Sequence, residues 1–117
     1  MANHDETAIE QEIRSKRLNA PRLTPKQIDE QIAAEYVVRA SDAFKDAPVH
    51  DALKCLTLCV LVLKNGFTVT GESACASPEN YDFDIGHKIA RDNARSKIWA
   101  FEGYTLRNSL TGRAPLR

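Results

Sequence analysis

Asn65-Gly66 limits what this chain can fold into more than any other feature. Asn-Gly between two strand-like runs is the strongest short-range hairpin signal, because both central residues of a type I′ turn need φ > 0. The flanking runs are Leu53 to Leu63 and Phe67 to Ala74. A two-residue loop sets Lys64 facing Phe67, Val62 facing Val69 and Val60 facing Gly71. The same register places Leu61 opposite Thr70 and Cys59 opposite Glu72.

Glu35-Tyr36-Val37-Val38-Arg39-Ala40 is rich in β-formers and predicts a first strand, giving the meander order 1-2-3. Ser41 to Asp51 is polar, contains Pro48 and reads as a loop. After the hairpin, Ser77-Pro78 predicts a helix start, with Ser77 as cap and Glu79 in the first turn, running to Leu110 ahead of Gly112 and Pro115. Upstream, residues 1–8 read as a disordered tail. Ala8 to Arg17 reads as a weak amphipathic helix carrying Ile9 and Ile13. Thr24-Pro25 restarts a helix, with Thr24 as N-cap and Pro25 at the first helical position. The expected fold is therefore α+β: a small antiparallel meander of about three strands packed with a long C-terminal helix and preceded by short N-terminal helices. Residues 1–117 form one expected domain: tail 1–8, helical arm 9–34, sheet 35–75 and helix 78–110.

Both faces of the second strand are apolar, with Cys55, Thr57, Cys59, Leu61 and Leu63 on one side and Leu56, Leu58, Val60 and Val62 on the other. A strand buried on both faces needs two covers. The long helix also shows two apolar stripes at 100° per residue: Tyr81, Ile85, Ile89, Trp99, Leu106, and Phe83, Ala90, Ala94, Ile98, Phe101. Asp84, Lys88, Arg91, Arg95 and Glu102 fill a solvated stripe between them. The second cover comes from the front helices or from another subunit. The expectation adopted is a homo-oligomer.

Composition excludes little. Hydrophobic content of 43% and charged content of 27% are ordinary for a globular chain. Zero net charge argues against a dedicated nucleic-acid binder. No apolar run approaches the ~20 residues of a membrane span. The polar, acidic start is no signal peptide, so a cytoplasmic location is expected. Three cysteines, without a Cys-x-x-Cys pair, argue against zinc. Cys55 and Cys59 lie roughly 13 Å apart along one strand, too far for a disulfide. All three read as inert thiols.

Catalytic patterns fail on inspection. Gly71-Glu72-Ser73-Ala74-Cys75 lacks the last glycine of a nucleophile elbow and an Asp-then-His sequel, so Gly71 reads as a bulge or close-packing glycine. His4, His50 and His87 share no metal spacing. No metal or cofactor is expected. The binding candidates are Arg91 and Arg95, spaced to grip one phosphate or simply to line a solvated face. Tyr81, Trp99 and Tyr104 are candidates to stack on a base. Asp92, on the Ile85-Ile89-Trp99 stripe, accepts a bond from a ligand, a subunit, the Trp99 indole or a backbone amide, or faces a gap in the stripe. Glu72 is a candidate of the same kind, or an edge-strand charge that discourages aggregation.

The run from Leu56 to Cys75, then Ser77-Pro78-Glu79-Asn80-Tyr81-Asp82, Ile85-Gly86, Ile89-Ala90-Arg91, Ala94, Lys97-Ile98-Trp99 and Glu102-Gly103-Tyr104, resembles a known family. It consists of small proteins of tailed phages and prophages, named after gene product forty-nine and gene sixty-six of two enterobacterial phages. The resemblance covers Leu18 to Leu110. It implies a phage or prophage source and supplies no catalytic residues. By association, it implies a non-catalytic accessory protein acting in the host cytoplasm, either sequestering a nucleotide-like host signal or blocking a host protein. The alternative is an accessory nucleic-acid binder in phage replication or regulation.

Overall fold

A computed structural model describes residues 5–44 and 46–113. Their order is α1 (Glu6–Ser15), α2 (Pro25–Glu30), β1 (Ile32–Arg39), α3 (Ala40–Ala43), β2 (Leu56–Leu63), β3 (Thr68–Ala74) and α4 (Phe83–Thr111). Single 3-10 turns at Asp51–Cys55 and Pro78–Asn80 precede β2 and α4. The expected α+β architecture is present: an antiparallel sheet in the order β1-β2-β3 and one long C-terminal helix. Of the tail expected over residues 1–8, residues 1–4 lie outside the described residues. Residues 6–8 are already helical, because the Asp5 carboxylate caps α1 by accepting from the Ala8 amide at 3.0 Å.

The hairpin forms at Asn65-Gly66, but its register differs from the expected one. Leu63 N–H donates to Phe67 O at 2.8 Å, and Gly66 N–H donates to Leu63 O at 2.9 Å, closing a three-residue loop. Gly66 takes φ +87°, whereas Asn65 does not enter the left-handed region and instead accepts the Phe67 amide on Oδ1 at 2.9 Å. This is a type I turn followed by a left-handed residue, not a type I′ turn. The added loop residue moves each β3 partner by one: Leu61 faces Val69, Val60 faces Thr70, Cys59 faces Gly71 and Leu58 faces Glu72. A one-residue slip exchanges the two faces of a strand. Val69 and Gly71 therefore point toward α4, and Thr70 and Glu72 point away.

That exchange lets α4 dock. A Cβ at Gly71 would lie 2.2 Å from Ala90 O and 2.3 Å from Ala94 N, so the glycine is a close-packing residue that brings helix and strand backbones together. Gly86 serves the same approach further along α4, where a Cβ would meet Thr57 Oγ1 at 2.4 Å. The core comprises Cys59, Leu61, Leu63 and Val69 from the sheet, Ala90, Ala94 and Ile98 from α4, and Ile28 from α2. Of the two helical stripes, the small-residue one buries Ala90, Ala94 and Ile98 but leaves Phe83 and Phe101 at its ends exposed. On the other, Ile85 is exposed, and Trp99 is half-buried at the core's margin rather than inside it. Gly86 and Gly103 leave α4 continuous. The helix begins later than Pro78, because Asp82 accepts the Ile85 amide at 3.1 Å while Ser77 makes no capping bond.

The front helices do not supply the second cover. Thr24 caps α2 as expected, in a box completed by Gln27, and α2 buries Ile28 in the same core that α4 covers. Helices α2 and α4 thus pack on the same side of the sheet. The molecule is 18 Å thick in its thinnest direction, which fits one helical layer on one sheet layer. Leu56, Leu58, Val60 and Val62 on the outer face are only half-buried.

Candidate functional site

The two candidate arginines are held by different carboxylates. Arg91 Nε donates to Glu35 Oε1 at 2.5 Å, and His87 Nε2 lies 2.6 Å from the other oxygen of the same group. Burial opposes ionisation of Glu35, but the bonds from Arg91 and His87 outweigh it and hold the carboxyl below its ordinary range. Arg95 is 7% exposed, so it does not belong to a solvated stripe. Its guanidinium donates to Asp29 at 2.7 Å and to Glu6 at 2.6 Å, tying α4 to α2 and α1. Burial disfavours that cation, yet Asp29 and Glu6 together keep it more firmly protonated than a free arginine. A phosphate at Arg91 or Arg95 would have to displace these carboxylates.

The aromatic candidates are not gathered around one ligand-sized space. Tyr81 lies just before α4. Its hydroxyl is 3.0 Å from Thr57 Oγ1, and the Arg39 guanidinium sits 4.0 Å over its ring. Tyr104 lies near the other end of α4, about 30 Å along the axis from Phe83. Its hydroxyl accepts from Arg113 Nη1 at 2.7 Å. Asp92 is half-buried on α4. Glu72 is exposed on the outer sheet face opposite Leu58, and its backbone carbonyl accepts from Asn93 Nδ2 at 2.9 Å. Among the described residues, no group of three or more His, Cys, Asp or Glu could hold a metal ion. No described helix is long and apolar enough to cross a membrane.

Three surfaces remain as candidates. The first is the outer face of the sheet, where Ala34, Val62 and Thr68 share a row, then Tyr36, Val60 and Thr70, then Val38, Leu58 and Glu72. Tyr36 is 64% exposed at its edge. The second is an aromatic patch beside the hairpin turn. Phe67 and Phe101 meet edge-to-face at 5.0 Å and, with Tyr104, line a cleft of about 450 Å³. The third is a pocket of about 210 Å³ at the far end of the hairpin, lined by Cys55, Cys75, Tyr81 and Ile85 among others. Sequence reasoning missed the Glu35 cluster, whose members lie 52 and 56 positions apart with no local pattern to join them. It missed the facing cysteines because the two-residue loop displaced the register by one.

Residues 23–110 match the model of the Phage protein (N4 Gp49/phage Sf6 gene 66) family. The match takes in α2, all three strands and nearly all of α4, and leaves α1 outside. No curated protein and no solved structure matches the chain.

Proposed function

The chain belongs to the N4 Gp49/phage Sf6 gene 66 family of phage proteins, and from that premise we propose that it is an accessory protein that acts by binding, in the host cytoplasm, as a homodimer joined through the outer face of its sheet. The observation that carries this reading is the outer row Leu56, Leu58, Val60 and Val62, which is apolar and keeps part of its surface exposed. Three strands at about 4.8 Å and seven paired rows at about 3.4 Å make a face of roughly 14 by 24 Å. Two such faces, stacked as in a β-sandwich, bring together roughly 700 Å² of projected area, the scale of a weak, reversible contact.

With the sheets paired, the aromatic patch of Phe67, Phe101 and Tyr104 stays outside the interface as the surface for a host protein. Blocking a host protein draws more support than capturing a nucleotide signal, since Arg91 and Arg95 already have carboxylate partners. The nucleic-acid reading meets the same obstacle and the zero net charge.

Light scattering tests the dimer. The expected mass at micromolar concentration is twice the chain's 13.0 kDa. Val60→Glu places a charge at the centre of the face and is expected to give monomers that keep the parent's circular dichroism. A parent that runs at 13.0 kDa refutes the proposal.

A further inference from the structure

The corrected register places Cys55 directly across the hairpin from Cys75. The ladder pairs Thr57 with Ser73 and Leu56 with Ala74, and the next step outward pairs the two cysteines. Cys75 N–H donates to Cys55 O at 3.0 Å, so one ladder-type bond joins them just beyond the paired strands, where Cys55 ends the 3-10 turn. Such hydrogen-bonded pairs hold their Cα atoms about 5.5 Å apart, inside the roughly 4.4–6.8 Å that a disulfide spans. Partners in a ladder also point their side chains to one face. Both thiols are half-buried and line the same pocket of about 210 Å³.

We propose that Cys55 and Cys75 form a redox-modification site, a dithiol that a small disulfide such as oxidised glutathione converts to an intramolecular cross-link at the base of the hairpin. One cysteine thiolate attacks the small disulfide, forms a mixed disulfide and releases one glutathione thiolate. The second cysteine, deprotonated, attacks the protein-side sulfur and releases the other. Two thiols are oxidised and one disulfide is reduced to two thiols, so no further reagent is needed. Burial and the adjacent Cys75 thiol push Cys55 above its ordinary range, which slows the first step. Once one mixed disulfide exists, the facing thiol resolves it at high effective concentration.

The cross-link has a local consequence. It joins the start of β2 to the end of β3, beside the segment that carries Tyr81. In the reduced chain Cys75 Sγ donates to Ser77 O at 3.2 Å, and oxidation removes that donor. It also closes the hairpin as a loop and so constrains the unfolded chain.

The test is thiol mapping of the folded, reduced full-length protein after incubation with oxidised glutathione. Alkylatable thiols, counted after denaturation, are expected to fall from three to one. Digestion should yield one cross-linked peptide pair containing Cys55 and Cys75, with Cys59 still alkylatable. The oxidised protein should melt about 5–10 °C higher. Cys55→Ser and Cys75→Ser should each retain one glutathione adduct and form no cross-link. Stable adducts on both cysteines of the parent, a cross-link through Cys59, or three unreacted thiols would each overturn the proposal.

Discussion

Along β2, Cys59, Leu61 and Leu63 are at most 4% exposed, whereas Leu58, Val60 and Val62 keep part of their surface open, although both rows are apolar. Hydropathy alone cannot separate them. The difference lies in the facing layer. On the inner side, Gly71 and Gly86 remove the side chains that would hold α4 away, and Ala90 and Ala94 let the helix backbone settle on the strand. On the outer side, Tyr36, Thr70 and Glu72 stand off the sheet, and no described residue closes over them. A buried face here is a matter of backbone approach as much as of hydrophobicity.

The sharpest way to break this comparison is to mutate adjacent residues of β3 that point to opposite faces. Gly71→Ala places a methyl against Ala90 O and Ala94 N, and neither backbone atom can move without lifting α4. The expected loss is about 3 kcal/mol or more, at the upper end of overpacking effects. Thr70→Val, one residue away on the outer face, should stay within about 0.5 kcal/mol. Urea denaturation of both variants checks this. Equal losses would mean that the two faces do not differ as described.

A second contrast sets α1 against α2. Helix α2 buries Ile28 completely, while α1 buries no residue and is held by ion pairs from Glu6 to Arg95 and from Glu10 to Arg22. Arg95→Met keeps the aliphatic stem but removes the charge shared by Glu6 and Asp29. Breaking a buried pair typically costs about 3–5 kcal/mol. Because Glu6 and Asp29 are 34% and 54% exposed, the expected loss is nearer about 2 kcal/mol. The distinguishing readout is proteolysis: trypsin should cut at Arg14, Lys16 and Arg17 faster in Arg95→Met than in the parent, with the core strands still protected. Unchanged cleavage there would show that α1 does not depend on Arg95.

The sequence announced the elements through local chemistry: Asn65-Gly66 for the hairpin, Thr24-Pro25 for α2, and a run apolar on both faces for β2. What it concealed was relational. A dipeptide suited to a two-residue turn closed a three-residue loop, because only Gly66 needed φ > 0. That single residue decided which side of β3 met the helix and whether Cys55 met Cys75. Arg95 looked like solvent-facing decoration because its partners lie 66 and 89 positions away. A helical arginine becomes buried only when other elements bring carboxylates to it, and no periodicity carries that information. The candidate site was the least legible part. Tyr81, Trp99 and Tyr104 share a chemistry, but the length of α4 keeps Tyr81 and Tyr104 apart.

The smallest expected effect lies where the inner face meets its polar margin. Glu35 is on the edge strand opposite Leu61, and its carboxylate takes the bonds from Arg91 and His87. Those bonds outweigh desolvation and hold its folded pKa below the ordinary glutamate value of about 4.3. A carboxyl with a depressed folded pKa binds fewer protons folded than unfolded. Its stabilising contribution is therefore complete above the unfolded value and is lost as pH falls through the folded one. Glu35→Gln cannot ionise, so the stability gap between parent and variant should be largest near neutrality and shrink as pH falls from about 5 to about 3. With side chains about a third exposed at this cluster, the gap should not exceed about 1 kcal/mol. Denaturant titrations across that range, in matched low-salt buffers, provide the check. A gap that widens on acidification would mean that burial, not Arg91 and His87, governs Glu35, and that the inner face stays apolar out to its edge.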